Sequence, residues 1–273
     1  VPSADKRARQ KENARAAREQ REAAEKRRKR IRSTTTIAIV AVIFVGVIVL
    51  LNVLGSDKKK ASPPAATTPT TTTPSKAAYP AGCVKTVPNQ TTKPTYKAPP
   101  AMTIDTSKTY VAHFSTTCGN FDVTLDAKVA PKTVNSFVFL ARNHFYDGLK
   151  FHRVAKDFVV QGGDPKGDGT GGPGYALPTE PPTDGYRKGS VAMANSGPDT
   201  TGSQFFIALT DQGAQGLGTS PPYLYSDLGT VTKGMANVEK LGSLYNPDQN
   251  PNDPSTQTSS VPLYMNTVTI TES

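Results

Sequence analysis

The feature that most limits what this chain can fold into is an uncharged run from Ile37 to Leu54, IAIVAVIFVGVIVLLNVL, in which Asn52 is the only polar side chain. A helix rises about 1.5 Å per residue, so this run with Thr34 to Thr36 ahead of it reaches about 30 Å, the thickness of a bilayer core. The run divides the chain into parts that must be read separately. They are a basic helical tail at 1–33, a transmembrane helix at 34–55, a Pro/Thr-rich linker at 56–103 and a folded domain at 104–273.

Thirteen of the thirty-two Lys and Arg, but only five of the twenty-two Asp and Glu, fall within residues 1–32, so the tail carries +8 of the formal +10. The folded part is close to neutral, and no nucleic-acid partner is expected for it. Ala, Arg, Glu, Gln and Lys dominate the tail, with pairs such as Arg15/Glu19 and Glu22/Lys26 at helical spacing, which predicts a solvated helix. Basic residues are concentrated before the span, with only Lys58, Lys59 and Lys60 just after it, so the N-terminus is expected in the cytoplasm. The domain then lies outside the cell membrane, anchored by a single pass. A cleaved leader is the alternative; the long basic segment and the lack of an A-x-A site after Leu54 argue against it.

Both cysteines, Cys83 and Cys118, fall on the outer side, where oxidation is permitted, and a disulfide between them is expected, two free thiols being the alternative. Nine prolines and ten threonines between Ser62 and Pro100 read as an extended spacer that buries too little apolar surface to order itself.

Past Ile104 the pattern changes to short apolar runs separated by turn residues. Strands are expected at Tyr110–Ser115, Phe121–Leu125, Leu149–Val154, Phe158–Gln161, Ser190–Asn195, Gln204–Leu209, Leu228–Thr232 and Leu263–Thr271, the first two joined through Cys118-Gly119-Asn120. Pro131 opens a helix whose Val134, Phe137, Val138 and Ala141 form one apolar stripe, and a second helix is expected at Met235–Leu244. The fold class is therefore mainly β, an eight-stranded antiparallel barrel capped by two helices.

Several familiar chemistries are excluded by context. Gly167 to Gly172 matches a dinucleotide fingerprint, but Pro173 and Gly174 follow where a helix must begin. His113, His144 and His152 have no ligand partners at metal spacing, so no metal site is expected. Ser203 lies in Gly202-Ser203-Gln204, which is not a nucleophile elbow.

What remains is a set of stretches that place one arginine and several amides among apolar side chains. They are Phe151-His152-Arg153, Phe158-Val159-Val160-Gln161-Gly162-Gly163-Asp164, Met193-Ala194-Asn195 with Gly197-Pro198, and Gly202-Ser203-Gln204-Phe205-Phe206-Ile207. In order and spacing they resemble the cyclophilin family of peptidyl-prolyl cis-trans isomerases, over roughly Thr109 to Ile270.

The resemblance implies an enzyme that needs no cofactor and acts on proline-containing polypeptides. Rotation about an Xaa-Pro bond is slow because amide resonance sets a barrier of roughly 18 to 20 kcal/mol. A catalyst need only favour the twisted state, whose prolyl nitrogen can accept a hydrogen bond. By resemblance Arg153 is the donor, with Gln161 beside it. Phe158, Val159 and Phe206 form the proline pocket, Gln204 helps hold the peptide, and Ala194 and Asn195 offer a strand edge. His152 supports the site without moving protons.

Three departures stand out. Val159 occupies a position where the best-studied eukaryotic members have methionine, the chain has no tryptophan, and Tyr225 stands where those members have a pocket histidine. Cyclosporin binding is left open by them. The expected identity is a membrane-anchored bacterial form acting on extracytoplasmic proteins. A non-catalytic proline-binding module and an adaptor working through its basic tail are the alternatives.

Overall fold

A computed structural model describes residues 79–89 and 92–273; the expected basic tail, transmembrane helix and first part of the linker lie outside them. Among the described residues no helix is long and apolar enough to cross a membrane.

Eight strands form one antiparallel sheet: β1 (Tyr110–Thr116), β2 (Gly119–Leu125), β3 (Arg153–Ala155), β4 (Val159–Gly162), β5 (Ser190–Met193), β6 (Phe205–Ala208), β7 (Ser226–Lys233) and β8 (Met265–Glu272). Their spatial order is β3-β4-β6-β5-β7-β2-β1-β8. In β1 every second residue is buried, the period of a half-covered strand. β5 and β6 are buried at every position, because apolar groups cover both of their faces.

The expected eight-stranded antiparallel barrel takes the form of a half-barrel, in which the end strands β3 and β8 share no ladder. The strand expected over Leu149–Val154 begins only at Arg153. Ahead of it the chain crosses the seam instead, with Phe151 N–H donating to Leu263 O at 3.0 Å and Met265 N–H to Leu149 O at 2.9 Å. The β1–β2 turn also lies one residue earlier than expected. Thr116 Oγ1 accepts from Cys118 N–H at 3.1 Å and donates to Gly119 O at 2.5 Å, so the side chain closes a turn at Thr117-Cys118 and Gly119 joins the ladder.

Among the described residues there are three α-helices where two were expected to cap the barrel: α1 (Pro131–Arg142), α2 (Asp211–Gln215) and α3 (Met235–Ser243). Pro131 starts α1, and the N–H groups of Lys132 and Thr133 donate to the carboxylate of Glu180, 3.2 and 2.8 Å away. A negative group there suits the positive end of a helix. The apolar stripe of α1 packs into a core where Phe114 stacks on Phe121 at 4.5 Å and Phe137 on Tyr146 at 4.8 Å. The unexpected α2 has too short an apolar pattern to show in the sequence. Thr210 caps it by accepting from Gly213 N–H, and a Cβ on Gly213 would come within 2.7 Å of Asp157 O.

The stretch read as linker makes contact with the domain well before residue 104. Cys83 and Cys118 are joined by a disulfide, and Val84 N–H donates to Thr117 O at 2.8 Å. Further along, Tyr96 meets Phe139 edge-on at 5.0 Å, and its N–H donates to Pro173 O at 2.8 Å. The high Pro/Thr average concealed these few anchoring side chains.

Candidate active site

β3 and β4 bring the arginine and the first amide together by register, because Arg153 lies directly opposite Gln161. Side chains of opposed residues leave a sheet on the same face. Arg153 Nη1 donates to Gln161 Oε1 at 3.0 Å, and Gln161 Nε2 donates in turn to Gln204 Oε1 at 3.1 Å. Gln204 Nε2 donates to Gly169 O and Gly171 O, both at 2.9 Å, so the chain of amides ends on the glycine-rich loop. That loop is itself tied by buried Asp164, which accepts from the N–H groups of Lys166, Asp168 and Gly169. A Cβ on Gly171 would come within 2.0 Å of Asp164 Oδ1, which explains the glycine there.

Beside the arginine lies a cavity of about 590 Å³, lined by Phe158, Val159, Phe206, Leu217 and Tyr225 on its apolar side and by Ala194 and Asn195 at one edge. The apolar side belongs to a small cluster separate from the main core, containing Ala155, Val159, Ala192, Phe206, Ala208, Ala214 and Leu217. β4 and β6 therefore serve two layers: Val160 and Ile207 face the main core, while Val159 and Phe206 face the cavity cluster. Phe206 meets Tyr225 edge-on at 5.1 Å.

A second cavity of about 960 Å³ adjoins it through Gln161, Gly169, Ala194 and Asn195, and Gln204 and Thr95 both lie in its wall. Asn195 Nδ2 donates to Leu224 O at 2.8 Å, joining the β5 end to the rim that carries Tyr225. Arg153, Phe158, Val159, Gln161, Ala194, Asn195, Phe206 and Tyr225 thus share one cavity, and Gln204 reaches it through Gln161.

The electrostatics are those of a desolvated cation. Burial pulls the Arg153 pKa below its ordinary value, and none of the ion pairs among the described residues includes it. Its guanidinium lies 5.6 Å from the Phe158 ring centroid. Burial likewise pulls His152 below the usual histidine range, and its buried Nδ1 has no hydrogen-bond partner among the described residues. A neutral imidazole without a proton acceptor or donor at Nδ1 is suited to packing rather than proton relay.

Three residues escaped the sequence reading. Gln257 accepts from Arg153 Nε at 2.8 Å across 104 positions, from a Pro/Asn/Ser/Thr-rich loop with no periodic signal. Leu217 follows the unexpected α2. Tyr186 donates to Tyr225 O at 2.8 Å and accepts from Tyr225 N–H at 3.1 Å, and burial raises its own pKa to about 12.

An antiparallel β-domain whose half-buried arginine lies beside an apolar cavity, with Ala194 and Asn195 just past β5 at its edge, is of a class that can accommodate a peptide. Comparison with known proteins refines the class: residues 111–261, more than half of the chain, match the family model for cyclophilin type peptidyl-prolyl cis-trans isomerase/CLD. A peptidyl-prolyl cis-trans isomerase of Helicobacter pylori is 47% identical over 107 residues, 38% of this chain and 66% of that protein. CYP18-2 of Arabidopsis thaliana, also a peptidyl-prolyl cis-trans isomerase, is 38% identical over 152 residues, 54% of this chain and 83% of its own. A crystal structure of a Cryptosporidium parvum cyclophilin matches the fold at a TM-score of 0.52 and 24% identity, over 60% of this chain and 98% of that one. The chain belongs to the cyclophilin-type peptidyl-prolyl cis-trans isomerases.

Proposed function

We propose that this protein accelerates cis/trans rotation of Xaa-Pro bonds in polypeptides outside the cytoplasm, with Arg153 as the group that stabilises the twisted amide. The observation that carries the reading is the setting of Arg153: a half-buried guanidinium at the wall of a largely apolar cavity, held by neutral amides and in no ion pair among the described residues. A proline ring fits against Phe158, Val159 and Phe206, and the residue before it lies along Ala194 and Asn195. Planar ground-state amide gives the prolyl nitrogen little basicity. Twisting removes the resonance and frees its lone pair, so a preorganised donor binds the twisted state more strongly than either planar isomer.

The extracytoplasmic location rests on the apolar run at Ile37–Leu54, the basic excess before it and the Cys83–Cys118 disulfide, which suits an oxidising compartment. A bacterial, membrane-anchored form fits the same features. The decisive experiment is a proline-isomerisation assay on the full chain and its Arg153→Ala variant. A loss of about a hundredfold or more in kcat/KM, with the circular dichroism spectrum unchanged, is expected. A variant as fast as the parent would overturn the role of Arg153.

A further inference from the structure

The hydrogen bonds of Arg153 divide its guanidinium between two opposite supports. Nη1 is held by Gln161, which lines the peptide cavity, whereas Nε is held by Gln257, which does not. Nη2 has no hydrogen-bond partner among the described residues. Gln257 instead lines another cavity of about 420 Å³ that Phe158 also lines, together with Lys156, Tyr245 and Pro251.

We propose that Gln257 is a positioning residue for the isomerase reaction: it grips Arg153 Nε from behind and aims the unshared Nη2 at the peptide cavity. This rests on the isomerase reading above. A guanidinium is planar, so fixing Nε and Nη1 fixes the plane and the direction of Nη2 as well. One hydrogen bond alone would leave the group free to swing about the Nε or Nη1 contact.

Gln257 is built to hold still. It is only 4% exposed, its Nε2 donates to Pro251 O at 2.9 Å, and its own carbonyl accepts from Val154 N–H at 2.8 Å, next to Arg153 in the chain. The turn before it is equally tied: Asp253 Oδ1 accepts from Ser255 N–H and Ser255 Oγ at 3.0 and 2.7 Å, and Gln257 N–H donates to Pro254 O at 3.2 Å. Being neutral, the amide also leaves the arginine charge undiminished. A carboxylate in its place would pair with the cation and weaken its pull on the prolyl nitrogen.

The test uses the full chain and Gln257→Met, which keeps length and bulk but removes the acceptor. Expected is a fall in kcat of about ten- to hundredfold, the range for losing a bond to a charged group. Equilibrium affinity for a short Xaa-Pro peptide should change less than about twofold, since a bond realised only in the transition state appears in kcat. In parallel, nitrogen-edited NMR of the unmutated chain should show an Arg153 Nε–H signal, assigned by its loss in Arg153→Lys, that exchanges slowly with water. That signal should exchange fast in Gln257→Met. Unchanged kcat in a folded variant, or fast Nε–H exchange in the unmutated chain, overturns the assignment. If the Met variant fails to fold, the exchange rate in the unmutated chain decides alone. An inactive unmutated chain overturns the isomerase reading instead, and the exchange measurement still reads the Gln257 contact.

Discussion

Arg153 and Gln161 are direct partners across the β3–β4 ladder, and the same pair is joined a second time by side chains, Nη1 to Oε1 at 3.0 Å. Backbone register therefore fixes a contact of the candidate site. The position of the guanidinium is set by the sheet, and only its tilt is left to side-chain partners.

From this follows the behaviour of Arg153→Lys. The ammonium keeps the charge but is a point donor without the planar fork, so it cannot hold Gln161 and Gln257 while presenting a further N–H. Expected is a loss of about tenfold or more in kcat/KM, with an unfolding midpoint close to that of the parent, because the site lies outside the main core. Isomerisation of a short Xaa-Pro peptide measures the first and thermal denaturation the second. Full activity in the lysine variant would show that charge alone suffices.

Tyr186 holds Tyr225 by both its backbone groups, and Tyr225 in turn meets the Phe206 ring at the cavity wall. Tyr186→Phe removes one hydroxyl that serves two bonds of about 1 kcal/mol each, and leaves the ring in place. The expected result is a looser rim: KM or peptide Kd rises by roughly five- to tenfold while kcat is nearly unchanged. Peptide titration followed by calorimetry distinguishes this from a general loss of stability.

Much of this site was legible because β4 and β6 carry it in contiguous runs. Phe158, Val159, Gln161, Gln204 and Phe206 sit within two short motifs whose spacing is preserved in the ladder, where Gln161 pairs with Phe206. What periodicity could not show is which apolar residues face the cavity and which the core, since strands covered on both faces lose their alternation; only the family resemblance set Phe158, Val159 and Phe206 apart. Gln257 and Tyr186 were hidden for another reason: both come from irregular loops, and nothing local predicts a contact 104 positions away. The strand seam at 149–151 was misread because an apolar run bridging two end strands looks like a strand in its own right.

The disulfide ties the segment that enters the domain to the β1–β2 turn. Closing a chain loop of this size removes entropy from the unfolded state, with a typical gain of about 2 to 4 kcal/mol. The double variant Cys83→Ala/Cys118→Ala is expected to lose about that much by urea denaturation. Its isomerase rate should stay close to normal, because neither cysteine lines the cavity. Equal stability of variant and parent would mean that the noncovalent contacts of the segment, among them Val84 N–H to Thr117 O and Tyr96 on Phe139, hold it without the disulfide.

Asp227 on β7 is an acid in an apolar setting. Burial, then the nearby charge of Asp126 and a hydrogen bond with it, raise its pKa from 3.8 to about 7. The native state thus binds a proton more tightly than the unfolded chain does. Stability from this group is fully present below about pH 4, declines as pH rises, and is lost above about pH 7. The span is on the order of 4 kcal/mol, since one pKa unit is worth about 1.4 kcal/mol. Asp227→Asn stays neutral throughout and keeps a donor for Asp126. The expected outcome is a variant that gains stability relative to the parent as pH is raised from 5 to 8, measured by urea denaturation at each pH. A stability difference independent of pH would show that Asp227 ionises normally in the folded domain.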